Sequence, residues 1–180
     1  MKKENKASGE SLVTPVGRLS YPSLFEKRKD EKGDPVAYEA SILIPKTESS
    51  EKLKAEAEKV AKAAFGKSDL TAFIHHPIKD GDKKDDENAH GHWIITARGY
   101  SQRPRLVDRS KEPITDSEFL YPGCYVRFMV EPYSYVSKGN KGVSWGLLAV
   151  QFVKDGERFG GGAVNLDQFE DLAEEDVPNF

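Results

Sequence analysis

The longest helical pattern of apolar positions runs from Thr47 to Phe65. Leu53, Ala57, Val60, Ala61 and Ala64 fall at i, i+4, i+7, i+8 and i+11, one face of a helix. Thr47, Ser49 and Ser50 offer N-caps, and Gly66 suits a left-handed C-terminal residue. Elsewhere the period is two. From Cys124 to Val136, Cys124, Val126, Phe128 and Val130 share a face, and Tyr125, Arg127, Met129, Glu131, Tyr133 and Tyr135 share the other. Val143 to Val153 and Gly91 to Tyr100 also read as strands, with a short one over Gln102 to Val107. Leu12 to Phe25 reads as a strand that is bent, or at an edge, near Pro22, because proline cannot donate to a ladder. A turn over Glu26 to Pro35 leads to a return strand, Val36 to Ile44. Gly66 to Gly91 reads as loop, and Ser137 to Gly142 as a mobile hairpin tip.

The order is strand, strand, helix, strand (whole or split), strand, strand. It predicts a mainly β chain, an OB-fold-like small Greek-key barrel of about five strands with one helix. The expected organisation is a disordered arm over residues 1–11, a barrel domain over 12–160, and a flexible acidic tail over 161–180 ending in Phe180.

Composition changes this picture in one place. Hydrophobic residues are 37% and charged residues 32%, enough apolar material for a modest core. The net charge of -3 is unevenly spread: six acids and no Lys or Arg lie from Asp167 onward. Outside them, 27 basic side chains face 24 acidic ones, so the body is cationic and the tail anionic. The single cysteine, Cys124, excludes an internal disulfide and suits a reducing compartment. Met1 to Glu10 is charged and lacks the apolar segment of a signal peptide. No apolar run approaches the ~18 residues of a membrane span. A cytoplasmic location follows as the expectation, in the host cell if the chain is phage-encoded.

The candidate chemistry is stacking and charge. Bases stack on aromatic rings and phosphates pair with cations, so aromatics interleaved with Lys and Arg suit single-stranded nucleic acid. Tyr21, Tyr100, Tyr133, Tyr135 and Trp145 are the candidate stacking residues. Arg98, Arg103, Arg105 and Arg127 are candidate phosphate contacts, with Lys27, Arg28 and Lys29 in the first hairpin loop and Lys138 and Lys141 in the last. Trp93 shares its face with Ile95 and Ala97 and reads as core. In the tail, Asp171, Glu174, Glu175, Asp176 and Phe180 are candidates for binding a partner, or for competing with nucleic acid in the basic groove. His75, His76, His90, His92, Asp80 and Asp82 do not form a convincing metal set, and no cofactor motif or catalytic constellation is recognisable.

Several motifs occur in order: Gly33-Asp34-Pro35 leading into Tyr38 to Lys46, His76 to Asp82, Gly91 to Ile95, Tyr121 to Val126, Gly139 to Leu147, and Val150-Gln151. Together they resemble the phage-type single-stranded DNA-binding proteins, over about Val13 to Gly162. That resemblance implies an OB-fold, no catalysis, roles in phage DNA replication, recombination and repair, and a tail that contacts replication or recombination proteins. Self-association stays open, as does a scaffold of a replication complex without direct DNA contact. One departure stands out: the helix precedes the third long strand, where an OB-fold helix ordinarily follows it. Either the first segment splits into two strands at Pro22, or the fold is a variant. The family offers no contact motif to transfer, so the contact residues above rest on strand faces and loops alone.

Overall fold

Five long strands are joined edge to edge into a closed ring in this computed structural model, which describes residues 6–160 and 168–179. In chain order the elements are β1 (Leu12–Val13), β2 (Gly17–Lys29), β3 (Pro35–Pro45), α1 (Glu51–Phe65), β4 (Lys79–Asp80), β5 (His92–Gly99), β6 (Arg105–Val107), β7 (Tyr125–Ser137) and β8 (Asn140–Lys154). β2 pairs with β3, β3 with β5, β5 in parallel with β8, β8 with β7, and β7 back with β2. Closure removes the open edges that a five-stranded sheet would otherwise present. β6 continues alongside β8 beyond the end of β5.

The helix question is resolved in favour of a variant barrel. Gly17–Lys29 remains one strand, and α1 lies between the second and third barrel strands. Pro22 produces a register shift instead of a break: pairing with β3 slips between Ser20 and Ser23, and Tyr21 takes a positive φ of 46°. The missing proline N–H is absorbed by a bulge.

The inner faces carry Leu19, Ile42, Ile44, Ile95, Ala97, Val126, Phe128 and Val130, all fully buried. α1 begins at Glu51, after a turn in which the Glu48 N–H donates to the Pro45 carbonyl. It covers the β7–β8 side of the barrel with Leu53, Ala57, Val60 and Ala61. Burying Leu53 and Val60 contributes about 1.5–3 kcal/mol each. Gly66 ends the helix at φ 72°, its N–H donating to the Lys62 carbonyl at 2.9 Å.

Two expectations are corrected. Ala7 to Gly9, within an arm expected to be disordered, lie along β7. The Ala7 carbonyl accepts from the Ser134 N–H, the Gly9 N–H donates to the Pro132 carbonyl, Ser8 bridges Tyr133, and β1 pairs onto Val130 and Met129. The β7–β8 connection, expected over Ser137 to Gly142, is a two-residue turn: Ser137 faces Asn140, and Lys138 and Gly139 take φ of 51° and 80°. Positive φ at both central positions matches the twist of the flanking strands.

Candidate nucleic-acid interface

Where β5, β8 and β7 lie side by side, their outward faces form a shallow groove. On β8 the outward positions in this region are Gly142, Ser144 and Gly146, which face Tyr135, Tyr133 and Glu131 of β7. The glycines leave room for the tyrosine rings. A Cβ on Gly142 would come within 2.5 Å of the Tyr135 hydroxyl, so that ring lies directly over the strand. The nearest atom of Tyr133 to a Cβ on Gly146 is a ring carbon at 4.0 Å. From the other side β5 contributes Thr96 and Arg98, and Tyr100 follows with half its surface exposed. Lys79, His75 and His76 complete one end of the groove, whose volume is about 500 Å³.

Burial pushes the Tyr133 phenol above its ordinary value of 10.0. The neighbouring Tyr100 phenol acts the same way, against a hydrogen bond from Ser144 and the charge of Arg98. Tyr133 therefore stays uncharged at physiological pH and does not repel a phosphate. Arg98 donates through Nε to Glu39, and Arg28 reaches the same carboxylate at 3.1 Å. One buried-side carboxylate thus holds two guanidiniums, linking the base of the β2–β3 loop to the groove.

The expected residues divide into three groups. Arg98, Tyr100, Tyr133 and Tyr135 come together in the groove. Tyr21, 75% exposed, lies in an adjoining depression that shares Thr96 and Lys79 with it. Others flank it or stand apart. Lys27 lies over the Tyr38 ring at 5.8 Å, and Lys29 is exposed at the end of β2. Lys138 sits in the β7–β8 turn, and Lys141 lies over Phe65 at 5.7 Å. Arg103 is stacked on Phe25 at 4.9 Å, and Arg105 is exposed on β6 beside Ala149. Arg127 is at the far end of β7, where its Nε donates to Gln151 at 3.1 Å.

Trp145 is a correction. It is 1% exposed, and its Nε1 donates to the Pro77 carbonyl at 2.9 Å. It supports the groove from beneath and presents no face to a ligand. Trp93 is half-buried, with the Lys46 ammonium 4.6 Å from its ring centre. In the tail, Asp171, Glu174, Glu175 and Asp176 are exposed, and Glu174–Asp176 form a single 3₁₀ turn. Asp167 and Phe180 lie outside the described residues.

Lys79 was missed by sequence reasoning. It sits on the two-residue strand β4, opposite Ile94, and lines the groove, the depression that holds Tyr21, and a further groove between α1 and the β4 loop. Burial pushes its ammonium below the ordinary 10.5, with the charges of Lys84 and Arg98 acting in the same direction and Glu39 opposing. Two residues of strand show no periodicity, so no pattern announces it. Three side chains of the rejected metal set, Asp80, Asp82 and His90, have structural partners. Asp80 and Asp82 both receive the Lys46 ammonium, Asp82 accepts from the Gly91 N–H, and the His90 ring bonds to the Lys84 carbonyl. Cys124 is buried in the core and its thiol is pushed up to about 11 by that burial.

The chain matches the family model described as the Enterobacter phage Enc34 ssDNA-binding protein over residues 10–178. Protein p50 of Acyrthosiphon pisum secondary endosymbiont phage 1 is 36% identical over 168 residues, spanning 87% of this chain and 90% of that protein. The structure of the single-stranded DNA-binding protein from bacteriophage Enc34 in complex with ssDNA superposes with a TM-score of 0.74 at 27% identity. It covers 89% of this chain and 96% of its own. The fold is shared also with gp2.5, a single-stranded DNA-binding protein encoded by bacteriophage T7. That match has a TM-score of 0.60 at 16% identity and covers 96% of this chain and all of that one.

Proposed function

Because this chain belongs to the family of the Enterobacter phage Enc34 ssDNA-binding protein, we propose that it binds single-stranded DNA across the outer face of β5, β8 and β7. The observation that carries this reading is the convergence of Tyr100, Tyr133, Tyr135, Arg98 and Lys79 on one groove. Stacking on an aromatic contributes about 1–3 kcal/mol per base whatever the base, so the recognition is sequence-tolerant. Arg98 and Lys79 take phosphates within the groove. Arg28, Lys27 and Lys29 extend the cationic surface from the end of β2, where a loop was expected, and Lys138 and Lys141 extend it from the β7–β8 turn and the start of β8. Tyr21 stacks a further base where the strand continues over β2 and β3. None of these contacts makes or breaks a bond, so the role is binding, in phage DNA replication, recombination and repair within the host cytoplasm.

The acidic tail is the second part of the proposal. Asp171, Glu174, Glu175 and Asp176 compete with phosphates for the basic groove, or recruit a replication protein together with Phe180. The test is a titration of labelled oligo-dT from low to high salt, with the full chain and with residues 167–180 removed. Each phosphate contact contributes about 0.7 to the logarithmic salt slope on a single strand. A steep slope is expected, with tighter binding after tail removal. A flat slope would refute the phosphate contacts, and unchanged affinity without the tail would leave it only the recruiting role. A chain that binds no single strand at all would be a scaffold in the same machinery.

A further inference from the structure

A larger groove of about 690 Å³ lies off the barrel face, between the first turns of α1 and the loop that carries β4. It meets the tyrosine groove at His75, His76 and Lys79, which line both. Lys54, Lys83 and Lys84 join Lys79 around it. Among the described residues Lys79, Lys83 and Lys84 form no ion pair, and Lys54 has only a surface contact of 4.0 Å to Glu58. Of the acids at this groove, Asp80 and the neighbouring Asp82 both take Lys46, and Glu51, at the helix end of the lining, forms no ion pair among the described residues, so four lysines face one free carboxylate. Burial first, and then the charges of Lys84 and Arg98, lower the proton affinity of Lys79, with Glu39 opposing. Unpaired, crowded cations of this kind are relieved by an anion. Apolar surface is present as well, since Ile74 is 72% exposed at the rim and Trp93 lines the interior.

We propose that this groove holds a second segment of the same DNA strand, which passes from the barrel face to the helix side at Lys79. The inference rests on the single-strand reading above and extends it. The strand would turn off the barrel at Lys79, its phosphates meeting Lys54, Lys83 and Lys84 and a base resting against Ile74 and His75. The occluded length would then exceed what the barrel face alone accommodates.

The experiment uses oligo-dT of about 4 and about 16 nucleotides, the limits for one OB-fold. Binding is measured by calorimetry at several salt concentrations, with the full-length chain and the Lys54→Gln/Lys83→Gln double variant. These two lysines line only the helix-side groove and are exposed, so the barrel face and the fold are left intact. At 0.1 M salt a slope of about 0.7 per contact makes each phosphate contact worth about fivefold. The long oligomer should therefore lose roughly 25-fold and its slope should fall by about 1.4. The short one should change less than about twofold, as it fills the barrel face alone. Equal losses at both lengths, or no loss for the long one, would overturn the second segment while leaving the barrel-face reading standing. If the unmodified chain bound neither length, both readings would fall together.

Discussion

Glu39 should act as a brake on DNA binding, and replacing it with Gln should release that brake. Its side chain is only 16% exposed, and it holds Arg28 at 3.1 Å and Arg98 through Nε. A phosphate entering the groove must compete with a carboxylate already in place. Glutamine keeps the size and one acceptor but removes the charge. If one guanidinium is released to phosphate, affinity at 0.1 M salt should rise about fivefold, and if both are, about 25-fold. The salt slope should steepen by about 0.7 to 1.4 correspondingly. The same change should lower stability, because two cations lose their counter-charge. Both guanidiniums are more than a third exposed or close to it, so screening holds that loss to about 1 kcal/mol. Fluorescence anisotropy of labelled oligo-dT across a salt series measures the first effect, and a urea melt the second. An unchanged slope with unchanged affinity would refute the argument that Glu39 occupies phosphate-binding groups.

Other outcomes follow from the same geometry. Tyr133→Ala should weaken oligo-dT binding by about 1–3 kcal/mol, while Arg127→Ala, whose side chain bonds Gln151 away from the groove, should change it less than about twofold; comparable losses in the two would place the strand elsewhere. Cys124 should not react with a thiol reagent until the chain is unfolded, because it is fully buried. Its folded thiol is raised from 9.0 to about 11, so the stability it contributes is complete below pH 9 and lost as pH rises to 11. The slope between is roughly 1.4 kcal/mol per pH unit. Chemical melts from pH 8 to 11 should show that decline, less steeply in Cys124→Ala, and equal slopes in the two proteins would contradict it.

Much of the barrel is legible in the sequence because burial there follows period and punctuation. The alternation from Cys124 to Val130 marks an inner face that the structure buries completely, and the apolar stripe of α1 ends at Gly66 as its left-handed conformation requires. Trp145 was legible too, in principle. It is in phase with Val143 and Leu147, both buried, and that phase outweighs the general aptitude of tryptophan for stacking. Lys79 and the pairing of Ala7 to Gly9 were not legible, for a common reason. Each depends on a few backbone bonds to a distant strand, and two or three residues carry no period. The gathering of Tyr100, Tyr133 and Tyr135 was visible only in part. Their faces can be read along each strand, but their proximity comes from the parallel pairing of β5 with β8, which no local pattern encodes.

The chain's first segment has a consequence for how the protein behaves in concentrated solution. Residues 7–18 run along nearly the whole free side of β7, from Ser134 down to Tyr125. Without them that side would present a row of unused N–H and C=O groups, a template on which a strand from another molecule could add. The segment acts as a built-in cover against such association. A truncation or bulky fusion that disturbs it alters a sheet, and the tyrosines of β7 with it.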